Sequence, residues 1–353
     1  ARVTATPETT ADPAGRPSIE TNPYDALLLV SFGGPEAPDE VMPFLERVTR
    51  GRGVPAERLA EVAEHYLHFG GRSPINDQNR AFLAALRAEL ASRGIDLPVY
   101  WGNRNSEPFL ADTLAEMRDD GVSRAAAFVT SAYSSYSGCR QYRENLADAL
   151  AEVPDAPRLD KLRHYYDHPG FVTANADALA AAWERLPVDH REAARVAFVT
   201  HSIPDAMEDT SGPDGGAYTA QHRAAGAAIV TDLRARGVDV GEWDLVFCSR
   251  SGPPHIPWLE PDVNDYLQAQ QERGTPAVVL APIGFVSDHM EVVFDLDTEA
   301  AQTAQEVGMT LARAGTAGTH PAFVAAAVDL LLERAAAERG TVSYTHLTLP
   351  TNA

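Results

Sequence analysis

The chain has 353 residues, of which 44% are hydrophobic and 22% are charged, and its formal net charge is −21 at pH 7. This is the composition of a globular protein long enough for two domains, and so acidic a surface repels phosphates, which argues against a nucleic-acid-binding protein. The chain contains only two cysteines, Cys139 and Cys248, so we expect no disulfide framework and a cytoplasmic location.

The N-terminal residues 1–21 are rich in Pro, Thr, Ala and Gly and lack the apolar core of a secretory signal. We predict that they form a disordered leader. No run of about 20 apolar residues occurs anywhere in the chain, so no transmembrane segment is predicted.

From residue 22 onward, short apolar runs alternate with amphipathic segments. Seven runs are predicted to be strands: Ala26–Phe32, Pro98–Gly102, Ala125–Ser131, Val196–His201, Trp243–Cys248, Ala277–Pro282 and Met309–Ala312. They are apolar throughout, as strands buried on both faces of a parallel sheet are. Helices are predicted between and after them, among them Arg80–Ser92, Pro108–Asp119, Gln141–Glu152, Val172–Arg185, Ala217–Arg236 and Ala322–Glu338. The alternation predicts an α/β protein with two doubly wound, Rossmann-like parallel-sheet halves.

The segment Asp155–His168 interrupts this alternation and marks the boundary between the halves. We predict an N-terminal half at 22–160, a C-terminal half at 161–318, and a final helix within 319–340 that folds back on the first half. The Ala- and Arg-rich composition stops after that helix. Residues 341–353 have no helical period, and we interpret them as a non-native tail, with a native β-like tail as the alternative.

Ligands of open parallel sheets bind outside the carboxyl ends of the strands, and polar and aromatic residues are concentrated there in this chain. The first-half strands are followed by SFGGPE, NRNSEP and SAYSSYSGCRQY, and the second-half strands by THSIP, CSRSGPPHIPWLEP and PIGFVSDHMEVVFDLD. The glycine pair in the first segment lacks the spacing of a phosphate-binding loop, and Pro35 has no amide to offer a phosphate. The strand ends therefore predict one ligand site that is not a nucleotide site.

His201 ends a buried strand, where a neutral imidazole could bind a metal, accept a proton near pH 7, or simply hydrogen-bond a loop. Glu291, Asp295 and Glu299, here called the acidic file, are spaced four residues apart and stack on one face of a predicted helix. A solvated acidic face is the alternative explanation for this spacing. Imidazole and carboxylates without thiolates would suit an Fe²⁺ ion that is held weakly and passed on.

Aromatic residues of the first half could form a wall for a flat, apolar ligand: Tyr66, Phe69, Trp101, Tyr133, Tyr136 and Tyr142. We expect about half of them to be core residues instead. The carboxylate arms of such a ligand would be held by Arg50, Arg52, Ser73 or Arg104.

Seven collinear segments resemble those of the ferrochelatases: LLLVSFGGPE, HFGGRSPIN, GNRN, VTSAYSSYSGCRQY, FVTHSIP, SRSGPP with PWLEP, and PIGFVSDHMEVVFDLD. The resemblance covers about residues 24–335 and is greatest to the actinobacterial members that use coproporphyrin III. It implies a chelatase-like fold whose two halves face a central porphyrin cleft. It also implies a lyase that inserts Fe²⁺ into coproporphyrin III to give Fe-coproporphyrin in haem biosynthesis.

The resemblance further implies roles for individual residues. His201 and Glu291 would be the catalytic pair that binds the iron; our own hypothesis is that His201 also takes pyrrole protons, and the sequence leaves open which role comes first. Asp295 and Glu299 would form a path for metal or protons. Four other residues would contact the porphyrin: Ser73, Tyr142, Arg50 and Tyr66.

Three features depart from the family pattern. Phe32 stands where some Gram-positive relatives have a tyrosine that can ligate the iron of the product, and Cys248 replaces a glutamine often found before Ser249. Many close relatives hold a 2Fe–2S cluster through four cysteines, but this chain has none after Cys248. Cys139 could be an orphaned ligand, and since one thiolate cannot hold a cluster, none is expected here.

Three alternatives to this reaction stay open at the level of the sequence. The substrate could be protoporphyrin IX, the enzyme could be a cobaltochelatase for a corrin precursor, or the protein could be a non-catalytic tetrapyrrole or metal carrier. The expected partners are a porphyrin, ferrous iron and, transiently, neighbouring enzymes of the haem pathway.

Overall fold

The computed structural model describes residues 19–134 and 141–340. Tyr136 and Cys139 lie outside these residues, as do the predicted tail and most of the predicted leader. The last three leader residues, Ile19–Thr21, form a 3₁₀ helix rather than a disordered segment. The side chain of Arg339 pins this helix to the C-terminal helix, since it donates to the carbonyl oxygens of Glu20 and Asn22 at 2.6 and 2.8 Å.

Within the described residues, eight strands form two parallel sheets. The strands are β1 (Ala26–Ser31), β2 (Val99–Asn103), β3 (Arg124–Val129), β4 (Arg158–Lys161), β5 (Arg195–His201), β6 (Trp243–Cys248), β7 (Ala277–Ala281) and β8 (Thr310–Arg313). Their order is β2-β1-β3-β4 in the first half and β6-β5-β7-β8 in the second. Strand order therefore reverses at the same place in both halves, between β1 and β3 and between β5 and β7. Such a switch point is where doubly wound sheets bind their ligands.

All seven predicted strands are present, with ends that differ by no more than two residues. The eighth, β4, lies in the segment that was interpreted as a break, and that interpretation was wrong at Arg158–Lys161. This strand pairs only with β3 and carries charged side chains at three of its four positions. An edge strand is buried on fewer sides than a central one, so it does not need the apolar run by which the other strands were identified.

The structure has twelve α-helices: α1 (Val41–Val48), α2 (Ala56–His68), α3 (Ile75–Ser92), α4 (Leu110–Asp119), α5 (Gln141–Glu152), α6 (Pro169–Glu184), α7 (Val188–Arg191), α8 (Asp205–Glu208), α9 (Ala217–Ala235), α10 (Val263–Glu272), α11 (Ala301–Val307) and α12 (Pro321–Glu338). The count refers to the described ranges. Within them, no helix combines the length and the apolar composition needed to cross a bilayer.

Helices α6 and α12 begin in the same way and pack against each other. Each starts with a His-Pro pair whose histidine Nδ1 accepts from a backbone amide two residues on, Gly170 for His168 (3.0 Å) and Ala322 for His320 (3.1 Å). These bonds satisfy amide groups that have no partner inside the helix. Helix α12 also contacts α3, so it touches helices that cover both sheets.

The two halves also meet directly beside their strand ends. The Tyr133 hydroxyl donates to the carbonyl oxygen of Ile283 at 2.9 Å, and the Asp288 amide donates to Oε1 of Gln78 at 2.7 Å. A cavity of about 170 Å³ is lined by residues of both halves, among them Gln78 and Phe82 of the first and Val286 of the second. The loop after β7 is therefore held by both halves of the molecule.

Candidate active site

Two neighbouring strands of the second half bring a histidine and a glutamate together. His201 is the last residue of β5, and Glu291 lies on the segment that follows β7, the strand paired with β5. Since parallel strands end at the same edge of a sheet, both side chains reach the switch point. Nε2 of His201 lies 3.5 Å from Oε1 of Glu291. The side chains remain 34% and 40% exposed, so the pair is open to a ligand.

The segment leading to Glu291 passes unusually close to β5. The Gly284 amide donates to the carbonyl oxygen of Val199 at 3.1 Å, and a Cβ atom on Gly284 would overlap Thr200, including its backbone. Only glycine allows the two chains to approach this closely. The position of Glu291 relative to His201 is therefore set partly by Gly284.

Hydrogen bonds orient the His201 ring and its backbone. Nδ1 of His201 is bonded to the carbonyl oxygen of Ser202, which can only accept, so Nδ1 carries a hydrogen and Nε2 faces Glu291. The buried Tyr218 hydroxyl donates to the carbonyl oxygen of His201 at 2.8 Å and lies 2.8 Å from Oγ1 of Thr200. Tyr218 of helix α9 thus fixes the carboxyl end of β5, where His201 lies.

The two members of the pair shift each other's pKa in opposite directions. Burial alone would lower the pKa of His201, but the Glu291 carboxylate, with help from the Ser202 carbonyl and Asp295, raises it to about 9. Burial alone would raise the pKa of Glu291, but the neighbouring His201 lowers it to about 2. The imidazolium–carboxylate form is therefore favoured when no ligand is present.

Asp295 and Glu299 of the acidic file lie on a π-helix, Val292–Ala300, that begins directly after Glu291. The predicted helix is thus of the π type, in which each hydrogen bond spans five residues instead of the four of an α-helix. Although a turn of π-helix is wider than a turn of α-helix, residues spaced four apart still lie near the same side of the helix. Accordingly the charges of Glu291 and Glu299 both act on Asp295, and the file runs from the half-buried pair to the exposed Glu299.

Asp295 and Glu299 have different surroundings. Burial, reinforced by Glu291 and Glu299, raises the pKa of Asp295 to about 7, although its Oδ2 accepts a hydrogen bond from the Ser249 hydroxyl. Burial also raises the pKa of Glu299, while the positive charge of His65 opposes that rise. Asp295 can therefore exchange a proton near neutral pH.

Helix α2 of the first half faces this π-helix. The His65 ring stacks on Phe294 with centroids 3.8 Å apart. Burial, together with the charges of Glu291 and Asp295, raises the pKa of Tyr66. Tyr66 therefore stays neutral and lies within electrostatic range of the acidic file.

The other residues predicted to contact a porphyrin are placed differently from one another. Arg50 is exposed beyond the end of α1. Ser73 is only 3% exposed, and its hydroxyl accepts from the Ile75 amide at 3.4 Å. Tyr142 is 5% exposed and lies under the Arg104 guanidinium, which is 4.4 Å from the ring centroid.

The aromatic residues predicted to form a wall for the ligand differ in burial. Tyr133 and Tyr142 are core residues, and Tyr133 stacks on the buried His222 with centroids 3.5 Å apart. Three others are half-buried: Tyr66, Phe69 and Trp101. Arg104, proposed from the sequence as an anion-binding residue, is bonded to Asn145 at 2.6 Å. Arg52 is exposed.

Three residues of the site were not identified from the sequence. Nδ1 of His289 accepts from the Glu291 amide at 3.2 Å, Ser249 bonds Asp295, and Tyr218 bonds His201. Ser249 could have been found, because it directly follows β6. Tyr218 lies in a helix far along the chain, where nothing in the local pattern points to a strand end.

The cysteines do not fit an iron–sulfur cluster. Such a cluster needs four ligands, and this chain has two cysteines. Cys248 is buried, and burial raises its thiol pKa well above the usual range. Between residues 19 and 134 and between 141 and 340, no three or more His, Cys, Asp or Glu residues are grouped in a way that could hold a metal ion.

Comparisons with known proteins identify the family. The family model described as Ferrochelatase matches residues 24–335. The chain is 59% identical to the coproporphyrin III ferrochelatase of Streptomyces coelicolor over 91% of this chain and 88% of that protein. It is 55% identical to that of Nocardia farcinica over 88% of each.

A solved structure of SirB from Bacillus subtilis with Fe³⁺ shares the fold, with a TM-score of 0.53 at 15% identity over 89% of this chain and 97% of that one. This likeness confirms the predicted chelatase-like architecture, and the sequence matches confirm the predicted family. The chain belongs to the ferrochelatase family.

Proposed function

We propose that this protein inserts Fe²⁺ into coproporphyrin III to form Fe-coproporphyrin in haem biosynthesis. The observation that carries the proposal is the half-exposed His201–Glu291 pair, 3.5 Å apart at the switch point of the second sheet. The choice of porphyrin is supported by the relatives from Streptomyces coelicolor and Nocardia farcinica, which are coproporphyrin III ferrochelatases by name.

Metal insertion exchanges two pyrrole N–H protons for one Fe²⁺ ion, so the site must accept protons as well as present the metal. In our proposal Nε2 of His201 does both in turn, because its hydrogen-bonded Nδ1 keeps Nε2 directed at Glu291. Glu291 stays ionised, since its pKa is low. Fe²⁺ arriving at the pair displaces the Nε2 proton of His201, which leaves to solvent along Asp295 and Glu299, as metal binding to a titratable ligand releases a proton. Once the iron has passed to the ring, Nε2 is free to take the two pyrrole protons one after the other and to release each by the same route.

Two ligands are fewer than the three or four that hold a resident metal in most proteins. A pair with imidazole and carboxylate donors suits an ion that is cargo, because it binds Fe²⁺ without the grip of thiolates. We propose that Asp295 and Glu299 continue the route between the pair and the surface. Asp295 is suited to relay protons, because its pKa is about 7.

The porphyrin would lie beside Tyr66 and the metal-handling pair, next to the place where the His65 ring of α2 stacks on Phe294 of the π-helix. Arg50 is free to reach a carboxylate arm, since its side chain is exposed. Ser73 and Tyr142 would contact the ring only through their few exposed atoms. The low cysteine content supports a cytoplasmic location for this reaction. Transient contacts with neighbouring enzymes of the haem pathway belong to the same proposal.

The decisive experiment is anaerobic Fe²⁺ insertion with coproporphyrin III and protoporphyrin IX side by side. We expect a higher kcat/KM with coproporphyrin III. A higher value with protoporphyrin IX would reassign the substrate. A preference for Co²⁺ with a corrin precursor would indicate a cobaltochelatase, and tight porphyrin binding without metallation would indicate a carrier.

A further inference from the structure

One arginine connects the two sides of Glu291. Arg313, the last residue of β8, donates from Nε and Nη2 to the two carboxylate oxygens of Asp297 at 2.8 and 2.6 Å. It also donates from Nη1 and Nη2 to the two oxygens of Asp288 at 3.0 and 3.4 Å. The guanidinium thus forms a bidentate contact with each carboxylate, the geometry that gives arginine pairs their directional strength.

The two aspartates lie on either side of Glu291 in the sequence. Asp288 lies three residues before Glu291, and Asp297 lies within the π-helix that follows it. Asp288 is held further by the Thr316 hydroxyl at 3.3 Å. Arg313 is only 19% exposed, so solvent screens this contact less than it screens a surface ion pair. The Arg313 guanidinium, through its contacts with Asp288 and Asp297, therefore fixes the segment that carries Glu291 both before and after that residue.

A π-helix needs such support. It is a rare conformation, and nine residues of it without external contacts would tend to convert to an α-helix. That conversion would change the register of the segment and rotate Asp295 and Glu299 relative to Glu291. Two contacts of a different kind also stabilise the segment: the Thr298 hydroxyl donates to the Val293 carbonyl oxygen at 3.1 Å, and Phe294 stacks on α2.

We propose that Arg313 is a positioning residue: by bridging Asp288 and Asp297 it holds the π-helix in register and keeps Glu291 opposite His201. The inference rests on the proposed role of Glu291 in presenting iron. Arg313 touches neither metal nor porphyrin in this scheme and acts only through the segment that it clamps. Lysine cannot replace it fully, because an ammonium group lacks the planar fork that contacts two carboxylates at once.

The chain offers a matched control. Arg195 also bridges two acidic residues, with 2.6 Å to Glu242 and 2.8 Å to Asp244, and is 23% exposed. It lies at the opposite, amino-terminal end of β5. Loss of Arg195 therefore removes a similar ion-pair arrangement from the same sheet without touching the π-helix.

The test compares Arg313→Gln, Arg313→Lys and Arg195→Gln in anaerobic Fe²⁺ insertion and in hydrogen–deuterium exchange of the full chain. For Arg313→Gln we expect kcat/KM for Fe²⁺ to fall about 10- to 100-fold, as a displaced catalytic group causes, with an unchanged KM for porphyrin. Amides of residues 292–300 should exchange faster. Arg313→Lys should recover part of the loss, and Arg195→Gln should match the wild type in both measurements.

The exchange measurement tests the clamp independently of turnover. If the wild type inserts iron but Arg313→Gln leaves both the Fe²⁺ kinetics and the exchange of 292–300 unchanged, the inference is overturned. If exchange accelerates as expected while the wild type shows no insertion, the clamp stands and the proposed function fails. Should Arg313→Gln not fold, Asp297→Asn weakens the same fork from the solvent-facing side and must show the same direction of change.

Discussion

The two halves of the molecule share a scaffold but differ in what they place at its switch point. Both sheets have the same strand order. In the second half the switch point carries His201 and Glu291, which are half-exposed and charged. In the first half, Phe32 follows β1 and packs edge-on against Phe44, with centroids 6.1 Å apart, and Tyr133 after β3 is buried. Topology decides where a site can form, and the residues after the strands decide which chemistry it performs.

This contrast predicts a division of labour, with metal and proton handling in the second half and ring binding in the first. The largest effect is expected from His201→Ala and Glu291→Gln, which should each lower kcat for iron insertion by about 10²–10⁴-fold, the contribution typical of a general acid or base. Anaerobic single-turnover assays measure it. Phe32→Leu, at the corresponding position of the first half, should keep kcat within about threefold of the wild type, since it removes ring contacts with Phe44 and Arg104 but no metal-binding or proton-accepting group. A near-normal kcat in both His201→Ala and Glu291→Gln would contradict the proposed role of this pair in iron insertion.

Two glycines sharpen the comparison. Gly284→Ala should destabilise the protein by about 1–3 kcal/mol and lower kcat, because the added Cβ meets the backbone of Thr200 and displaces the segment that carries Glu291. In the first half, the Cβ of Gly34→Ala would come within 2.8–3.0 Å of the side chains of Ser73 and Ile75, so this variant should also be destabilised but should keep more of its kcat, because it displaces neither His201 nor Glu291. Thermal denaturation and kcat for both variants provide the check. A larger loss of kcat in Gly34→Ala than in Gly284→Ala would contradict the proposed division of labour between the two halves.

The coupling within the pair can be measured without substrate. Because Glu291 is the main group that raises the pKa of His201 to about 9, the variant Glu291→Gln should lower that pKa, since only the Ser202 carbonyl and Asp295 would then oppose burial. Titration of the His201 ring by NMR tests this directly. A pKa that stays raised in Glu291→Gln would mean that another group charges the imidazole.

The same pair makes a pH-dependent contribution to stability. A raised histidine pKa stabilises the folded state fully below the unfolded value, roughly 6.5, and this contribution disappears as pH rises through about 9. The depressed pKa of Glu291 sets the acid side, where the contribution is lost as pH falls through about 2. The stability difference between wild type and Glu291→Gln, measured by urea denaturation, should therefore shrink between pH 6.5 and 9. A difference that grows over this range would have the wrong sign.

The smallest effect is expected at the surface of the first half. Arg50→Gln should raise the KM for porphyrin about two- to fivefold, since an exposed cation contributes little to binding a carboxylate, and should leave the KM for Fe²⁺ unchanged. Steady-state kinetics with each substrate varied in turn separates the two. A change confined to Fe²⁺ would place Arg50 on the metal route instead.

The strands and the place of the candidate site could be predicted from the sequence. Continuous apolar runs identified seven strands, because a strand buried on both faces has almost no polar positions, as in β1 and β7. Parallel strands end at one edge, so the residues after β5 and β7 were predicted to share a site, and His201 and Glu291 do lie together.

Features that depend on long-range contacts were decided by the tertiary structure. The π-helix has the same local sequence signals as an α-helix, and it differs by contacts from distant elements, such as Arg313 on β8 and His65 on α2. The burial of Tyr142 and Ser73 was equally invisible, because an aromatic or hydroxyl side chain near a strand end suits a core and a cleft alike. Sequence patterns record the period and burial of single elements, whereas the register and exposure of a side chain depend on neighbours that only the folded chain brings into contact.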